Sequence, residues 1–131
     1  MNTCKNTFFT FCQTITQLRS ENGCPWDRKQ TARTLVKYIS EECEELLEAI
    51  EEGDPTHLCE EIGDVLFLLV LLSEINSELK NFTIEDVLSN INEKMIRRHP
   101  HVFDGVVVNN EEELKILWET IKSAEKEKKI N

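Results

Sequence analysis

Apolar residues recur along this chain with the period of an α-helix, and no segment has a convincing strand pattern. On the first helix the apolar positions follow i, i+3, i+4 and i+7, at Phe8, Phe11, Cys12 and Ile15. A loop over residues 20–27 precedes a second helix from near Thr31 to Glu52. Further helices are predicted over about 55–79 and 83–98, and a last one opens near Asn110. The pattern therefore predicts an all-α fold.

The turn between the second and third predicted helices has a well-defined residue pattern. Gly53 suits the left-handed position just after a helix, Asp54 suits an N-cap, and Pro55 suits the first helical position. Because this link is so short, the two helices must be antiparallel neighbours.

The middle of the third helix is apolar all round. The run over residues 65–72 has no polar side chain, and a helix of this kind is buried on every side. A few short helices from a small domain would struggle to enclose it. We therefore expect a second subunit to pack against it. The run is also far shorter than the roughly 20 apolar residues that span a bilayer, so no membrane partner is expected.

The composition narrows the class of protein. At 131 residues the chain fits one domain, 1–131, and its net charge of −10 argues against binding nucleic acid polymers. The five cysteines form no CxxC pair and no zinc-type spacing with histidine. An odd cysteine count without a signal peptide predicts a cytoplasmic protein.

Four acids are arranged symmetrically about Gly53. Glu42 and Glu45 lie eleven and eight residues before it, and Glu61 and Asp64 lie eight and eleven residues after it. Folding the chain back at the turn brings Glu45 level with Glu61, and Glu42 level with Asp64. At about 100° per residue, both acids of the second helix border its buried stripe. The neighbouring Glu41, Glu44 and Glu48 point away.

These convergent carboxylates need a cation. Like charges at short range raise one another's pKa values, and no Lys or Arg lies between residues 38 and 79 to neutralise them. Hard oxygen ligands suit Mg²⁺ or Mn²⁺ rather than zinc, and no EF-hand loop is present. The alternative is a solvated acidic helix face, which is common in proteins.

Basic and aromatic residues form a second set of candidates. On the fourth helix Arg98 falls within the apolar stripe and Lys94 borders it, whereas Arg97 points away, as a surface charge does. An inward Arg98 needs an anionic partner, either the acidic hairpin or a substrate phosphate. Trp118 lies on an apolar stripe, where a core role is usual, and Trp26 lies in a loop, where it can anchor the loop or line a pocket.

The histidines are expected to have structural roles. His99 and His101 flank Pro100 beyond the end of the fourth helix, where a turn is predicted. His57 is expected to be a surface residue near the start of the third helix.

The acidic pattern Glu41-Glu42-x-x-Glu45 followed by Glu61-x-x-Asp64 resembles the signature of MazG-type nucleoside triphosphate pyrophosphohydrolases. Further MazG-like segments follow in the right order, and together they span about residues 15–126. These segments are Gly23-Cys24-Pro25-Trp26-Asp27, residues 61–67, residues 97–103 and Trp118-Glu119-x-Ile121-Lys122.

The resemblance implies a four-helix all-α core completed by dimerisation, as a homodimer or a dimer of dimers. It also implies Mg²⁺-dependent hydrolysis of a nucleoside triphosphate to monophosphate and pyrophosphate, with a role in control or cleansing of the nucleotide pool. By the family pattern, Glu42, Glu45, Glu61 and Asp64 hold the metal, with Mn²⁺ as a possible substitute for Mg²⁺. Glu41 would support them or orient water, and these five acids are the candidate catalytic residues.

The resemblance assigns nucleotide binding to the basic and aromatic residues. Nucleobase stacking is implied for Trp118, with Lys122 near the phosphates, and the full candidate set is Lys94, Arg97, Arg98, Trp118, Lys122 and Trp26. Two departures from the family are visible: this chain has one such domain where many members have two, and it has Tyr38 and His57 where some members have basic residues. The alternative function is a non-catalytic helical dimer that binds metal and nucleotide or a protein partner.

Overall fold

The computed structural model describes the backbone of residues 2–128 and the side chains of residues 6–128, and all regular structure in this range is helical. The all-α fold predicted from the sequence is confirmed. The helices, in chain order, are α1 (Asn2–Leu18), α2 (Pro25–Lys29), α3 (Ala32–Glu52), α4 (Pro55–Glu78), α5 (Ile84–Arg97), α6 (Pro100–Phe103) and α7 (Glu111–Glu127).

The five longer helices lie where the apolar period predicts them, whereas α2 and α6 were not predicted as helices. Both are too short, at five and four residues, to show a helical period. Each begins at a proline, Pro25 or Pro100, whose fixed φ suits the first helical position. The prediction of a loop over residues 20–27 is therefore wrong from Pro25 onwards.

The described residues form two compact units, one ending at Ile84 and the other beginning at Glu85. The first contains α1 to α4, and the second contains α5 to α7 apart from the first residue of α5. The expectation of one functional domain over 1–131 stays a prediction.

The core of the first unit lies between α1, α3 and α4. The α3–α4 hairpin is its most extensive contact, and α1 packs on α4. Six apolar side chains form the buried cluster: Ile15, Leu35, Leu68, Val70, Leu71 and Ile75. The apolar run over residues 65–72 is buried only on this side, because Leu66 and Leu69 are 39% and 46% exposed. Within the single chain the run is thus half covered.

A close approach at Gly23 joins α1 to α2. A Cβ at this position would lie 2.1 Å from the carbonyl oxygen of Leu18 and 2.6 Å from that of Gln17, so no larger residue fits without a backbone shift. The neighbouring Cys24 amide donates to the same Leu18 oxygen at 2.9 Å. The chain therefore turns tightly at the end of α1 and enters α2 directly.

In the second unit, the one buried residue among 85–128 is an acid, Glu125 on α7. Asn110 caps this helix by accepting a hydrogen bond from the Glu113 amide at 2.9 Å, which confirms the predicted start near Asn110. Within the described residues, no helix combines the length and the apolar character needed to cross a membrane.

Candidate functional site

The turn at Gly53 aligns the two acidic helices. Gly53 has φ of 81°, in the left-handed region, and its amide donates to the carbonyl oxygen of Ala49 at the end of α3. The Asp54 carboxylate accepts from the Thr56 amide at 3.0 Å, and Pro55 opens α4. The predicted caps and the antiparallel hairpin are therefore confirmed, and they fix which residues of α3 and α4 face each other.

Three of the four predicted metal ligands meet across this hairpin. One carboxylate oxygen each from Glu42, Glu45 and Glu61 lie within 4.8 Å of one another. Glu61 is buried, Glu42 is half-buried and Glu45 is exposed, so the group opens to solvent on one side. Two acids one turn apart on α3, Glu42 and Glu45, and Glu61 from α4 form a set of oxygen donors for one divalent cation.

The remaining two acids of the predicted site lie outside this group of three. Asp64 is exposed, yet it is close enough for its negative charge to act on Glu42, and both acids line the same pocket. Glu41 is exposed and belongs to neither the group nor the pocket lining. The structure thus puts Asp64 beside the cluster and leaves Glu41 on the outer face of α3.

The electrostatics of the cluster show strain that a cation would relieve. Burial of Glu42, a hydrogen bond with Glu45 and the charges of Glu45, Asp64 and Glu61 raise the pKa of Glu42 to about 7. One buried oxygen of Glu42 and one of Glu61, both Oε2, have no hydrogen-bond partner. Buried acceptors without partners are costly, so these two atoms fit the coordination of a hard cation such as Mg²⁺.

His57 joins the edge of the cluster, which the sequence interpretation missed. Its Nε2 lies 3.2 Å from Oε1 of Glu61 and its Nδ1 lies 3.0 Å from Oε2 of Glu52. The hydrogen bond to Glu52, together with the negative charges of both acids, raises the pKa of His57. His57 was expected to be a surface residue near the start of the third helix; it lies in the first turn of α4, but it is half-buried and bridges the turn. Its i, i+4 spacing to Glu61 was the available signal.

A pocket of about 210 Å³ adjoins the acids. Its lining combines two carboxylates with aromatic and aliphatic side chains: Trp26, Tyr38, Glu42, Asp64, Phe67 and Leu68. The Trp26 ring meets the Tyr38 ring edge-on, with centroids 5.2 Å apart. Trp26 lines this pocket and also packs against the core cluster, so both roles left open for it stay open. Planar apolar walls beside carboxylates that could hold a cation are suited to a ligand with an anionic part and a ring.

The basic candidates of the second unit pair with an acid that the sequence interpretation overlooked. Arg98 Nη2 lies 2.8 Å from Glu125 Oε1, and Arg97 Nε lies 2.7 Å from Glu125 Oε2. Hydrogen bonds first from Arg98 and then from Arg97 lower the pKa of Glu125 to about 2. Glu125 lies four residues after Ile121 of the apolar stripe of α7, so its helical position could have revealed it.

The expectation that Arg97 points away as a surface charge is wrong, because its guanidinium pairs with the buried Glu125. Helical angles fix the direction of Cβ but not of the guanidinium at the end of a long side chain, which here turns inward to Glu125. The anionic partner that Arg98 requires is also Glu125, which was not among the partners considered for it.

The other nucleotide-binding candidates of this unit differ in their surroundings. Trp118 is half-buried, its ring meets the His99 ring edge-on at 5.9 Å, and its buried Nε1 has no hydrogen-bond partner. Lys122 is exposed, 3.9 Å from Glu119, and Lys94 is half-buried. His99 and His101, with rings 5.6 Å apart, flank the start of α6 rather than a simple turn.

Comparison with known proteins identifies the family of this helical, acid-bearing chain. Residues 30–103, more than half of the chain, match the family model described as the MazG nucleotide pyrophosphohydrolase domain. The chain therefore belongs to the MazG nucleotide pyrophosphohydrolase domain family. The matched residues include the whole acidic hairpin.

Curated relatives agree with this assignment. The nucleoside triphosphate pyrophosphohydrolase/pyrophosphatase MazG of Thermotoga maritima is 50% identical over 113 residues, which are 86% of this chain and 43% of the relative. The nucleoside triphosphate pyrophosphohydrolase of Escherichia coli is 41% identical over 109 residues, 83% and 41% of the two chains. The uncharacterised YabN protein of Bacillus subtilis is 53% identical over 119 residues, which are 91% of this chain and 24% of the relative. The chain thus spans less than half the length of each of these relatives.

A solved structure matches the fold over nearly its whole length. The crystal structure of a mazG-related protein from Thermotoga maritima gives a TM-score of 0.72 at 29% sequence identity. The match covers 87% of this chain and 97% of that one. The helical arrangement described above is therefore one that a MazG-related protein adopts.

Proposed function

We propose that this chain is a nucleoside triphosphate pyrophosphohydrolase that requires a divalent cation, Mg²⁺ by the chemistry of its donors. The observation that carries the proposal is the group formed by Glu42, Glu45 and Glu61, with its two unpartnered buried oxygens, in a chain of the MazG family. Relatives named nucleoside triphosphate pyrophosphohydrolase support the choice of reaction.

The balanced reaction is nucleoside triphosphate plus water giving nucleoside monophosphate plus pyrophosphate. Water attacks the α-phosphorus, the bond from that phosphorus to the α–β bridging oxygen breaks, and pyrophosphate leaves with the electron pair. Glu42, Glu45 and Glu61 would hold the cation, with Asp64 beside them. When bound, the cation offsets negative charge on the phosphate oxygens and orients them.

The acids also explain why the cation is needed at all. A tetra-anionic triphosphate would be repelled by a cluster of carboxylates that has no Lys or Arg within residues 38–79. Because burial and the neighbouring acids raise the pKa of Glu42, its carboxyl can take up a proton when no cation is bound. Glu41, exposed one residue earlier and outside the group and the pocket lining, is proposed to support the neighbouring Glu42 rather than to contact the substrate.

The nucleoside part of the substrate is proposed to bind on aromatic surfaces. In the first unit the pocket beside the acids offers the Trp26 and Tyr38 rings. For the second unit, taken by itself, the family resemblance is the basis for proposing Trp118 as a base-stacking ring and Lys94, Arg97, Arg98 and Lys122 as charges that bind phosphate. Glu125 neutralises part of the charge of the two arginines, so Lys94 and Lys122 are expected to contribute more to phosphate binding.

Product analysis tests the proposed reaction. Purified protein with Mg²⁺ and each common ribo- and deoxyribonucleoside triphosphate is expected to release pyrophosphate and the matching monophosphate. Because the substrate is repelled without a cation, chelation is expected to abolish turnover, and Mg²⁺ to restore it. Orthophosphate as the first product, or full activity after chelation, contradicts the proposal. Absence of turnover with every nucleotide would favour the non-catalytic binding protein.

Dimerisation is proposed on the apolar face that the chain leaves open. Ile62, Leu66 and Leu69 follow i, i+4 and i+7 on α4, and all three are between 39% and 52% exposed. A groove of about 520 Å³ next to them is lined by apolar side chains, among them Phe8, Phe11 and Leu66. Contiguous apolar surface of this kind marks an interaction site, and a second copy of the chain would bury it.

Replacing Leu69 by Glu is expected to convert a dimer or dimer of dimers into a smaller species, because a charge would be buried in the interface. Light scattering coupled to size-exclusion chromatography measures the mass of each species. Val107→Glu is the matched control, since Val107 is 80% exposed and lies between α6 and α7. A monomeric wild-type protein, or an unchanged mass for Leu69→Glu, contradicts the proposed interface.

The cellular setting follows from the same proposal. All four cysteines of the described side chains, Cys12, Cys24, Cys43 and Cys59, are free thiols, which suits a reducing compartment such as the cytoplasm. Hydrolysis of unwanted triphosphates there would serve control or cleansing of the nucleotide pool.

A further inference from the structure

One side chain at the end of α1 holds the helix that carries Trp26. The Arg19 guanidinium donates from Nη1 to the carbonyl oxygens of Asp27 at 2.6 Å and Gln30 at 2.9 Å. Its Nε and Nη2 donate to the Glu78 carboxylate at 2.8 Å and 2.7 Å. All these bonds converge on a side chain that is 9% exposed. Arg19 therefore ties α2 to the end of α4.

Gln30 makes a second connection to the same helix. It is buried, its Nε2 donates to the carbonyl oxygen of Trp26 at 2.9 Å, and its Oε1 accepts from the Thr34 hydroxyl at 2.6 Å. The side-chain amide of Gln30 thus makes hydrogen bonds with both its nitrogen and its oxygen. This side chain links the backbone of Trp26 to the first turn of α3.

These contacts are needed because α2 is not stable in its position without them. A helix of five residues is below the length at which helical hydrogen bonds alone are stable. The indole of Trp26 nevertheless lies edge-on to Tyr38, whose ring shares a pocket wall with Glu42 and Asp64. Its place beside the acids therefore rests on the bonds from Arg19 and Gln30 to the backbone around it, together with its packing against the core cluster.

We propose that Arg19 and Gln30 are positioning residues for substrate binding, which act by holding Trp26 in place as a pre-formed wall of the pocket. This inference rests on the proposed function, because it assumes that the nucleoside part of the substrate contacts Trp26. If Trp26 is already ordered in the free protein, substrate binding does not have to supply the conformational entropy cost of ordering it. Its loss weakens ground-state and transition-state binding alike, so KM rises while kcat stays.

Arg19→Met and Gln30→Glu test the two connections separately. Arg19→Met removes every donor, and Gln30→Glu keeps the acceptor for Thr34 but loses the donor to Trp26. Each is expected to raise KM for the preferred nucleoside triphosphate by about three- to tenfold, the cost of ordering one side chain, with kcat within about twofold. Arg28→Met is the matched control with unchanged KM, because Arg28 is an exposed arginine on the same helix α2.

A probe without a nucleoside separates positioning from general damage. Inorganic tripolyphosphate with Mg²⁺ has the phosphates but no ring, so its affinity, measured by calorimetry, is expected to be the same in wild type, Arg19→Met and Gln30→Glu. Loss of tripolyphosphate affinity in step with nucleotide affinity would mean that the variants disturb the whole fold, and it overturns the proposal.

A double-mutant cycle with Trp26→Ala gives an independent test. Arg19→Met is expected to add no further rise in KM once Trp26 is Ala, because residues that act through one another are not additive. A full additional rise in that background overturns the proposal, and so does an unchanged KM in Arg19→Met. If the wild type binds nucleotides without hydrolysing them, the proposed reaction fails, and the same cycle measured as nucleotide affinity still tests the positioning role.

Discussion

Glu42→Gln is expected to lower pyrophosphohydrolase activity by at least about 100-fold at saturating Mg²⁺, because even partners outside a metal's coordination sphere cost about 10–100-fold when removed. The same result is expected for Glu45→Gln and Glu61→Gln, whose oxygens lie in the same 4.8 Å group. Steady-state kinetics with pyrophosphate detection gives the activity. Titration calorimetry with Mg²⁺ in the absence of nucleotide gives the accompanying loss of metal affinity.

Glu44→Gln is the control for this prediction. Glu44 is on the same helix, one residue from Glu45, but it is exposed and outside the group. Removing its charge changes the net charge as Glu42→Gln does, so a general electrostatic effect would appear in both variants. Equal activity in Glu42→Gln and Glu44→Gln would show that the cluster does not bind the catalytic metal.

Asp64→Asn distinguishes a direct ligand from a neighbouring charge. Asp64 lines the pocket with Glu42 but lies outside the group of three. A loss of Mg²⁺ affinity as large as that of Glu61→Gln would assign Asp64 to the coordination sphere. A smaller loss would leave it as a charge beside the site.

The same Glu42→Gln change is expected to stabilise the metal-free protein at pH 8. In the folded chain, burial and the neighbouring acids raise the pKa of Glu42 from 4.5 to about 7. At about 1.4 kcal/mol per pKa unit, the ionised carboxylate costs roughly 3 kcal/mol of folding free energy. An uncharged Gln of the same shape avoids most of this cost. Denaturant unfolding in the presence of a chelator measures the free energy of unfolding.

The stability of the metal-free wild-type protein is expected to fall as pH rises. Between pH 4.5 and about 7 the folded protein keeps the Glu42 proton and the unfolded chain loses it, so stability falls as pH rises through this window. At pH 4 wild type and Glu42→Gln are therefore expected to have the same free energy of unfolding. At pH 8 the variant is expected to have the higher one. Glu44→Gln should follow wild type at both values. A variant that is less stable than wild type at pH 8 would contradict the repulsion on which the site depends.

At pH 8, saturating Mg²⁺ should make wild type more stable than Glu42→Gln. A cation that binds only the folded state stabilises wild type in proportion to its occupancy, whereas the variant has lost a ligand. Glu42 thus lowers the stability of the metal-free protein while it serves metal binding, as expected where a site keeps like charges together for a ligand. The chain maintains this unfavourable cluster by packing Glu61 on the buried side of α4.

Local sequence signals were sufficient for much of the fold. Gly53, Asp54 and Pro55 each have one strongly preferred place at a helix end, so the hairpin and its antiparallel register followed from three residues. The five longer helices followed from apolar period alone. The short helices α2 and α6 did not, because four or five residues are less than two turns and show no period.

Side-chain partners were predicted less well than helices. Helical angles placed Arg97 outward, but its long side chain reaches Glu125, and Glu125 itself was not considered. His57 was assigned to the surface, yet it joins Glu52 to Glu61 across the turn. In each case the backbone direction was known and the position of a flexible, charged end group was not.

The sequence by itself determined the all-α fold and the family resemblance, which depend on periodicity and motifs along the chain, and the acidic hairpin, whose acids lie within about three helical turns of one well-marked turn. The tertiary structure alone decided that Glu42, Glu45 and Glu61 meet while Asp64 lies beside them. It alone showed that Arg19 and Gln30 hold Trp26 next to the acids. These contacts join residues from different helices, and their geometry depends on how the helices pack, which periodicity along one helix does not specify.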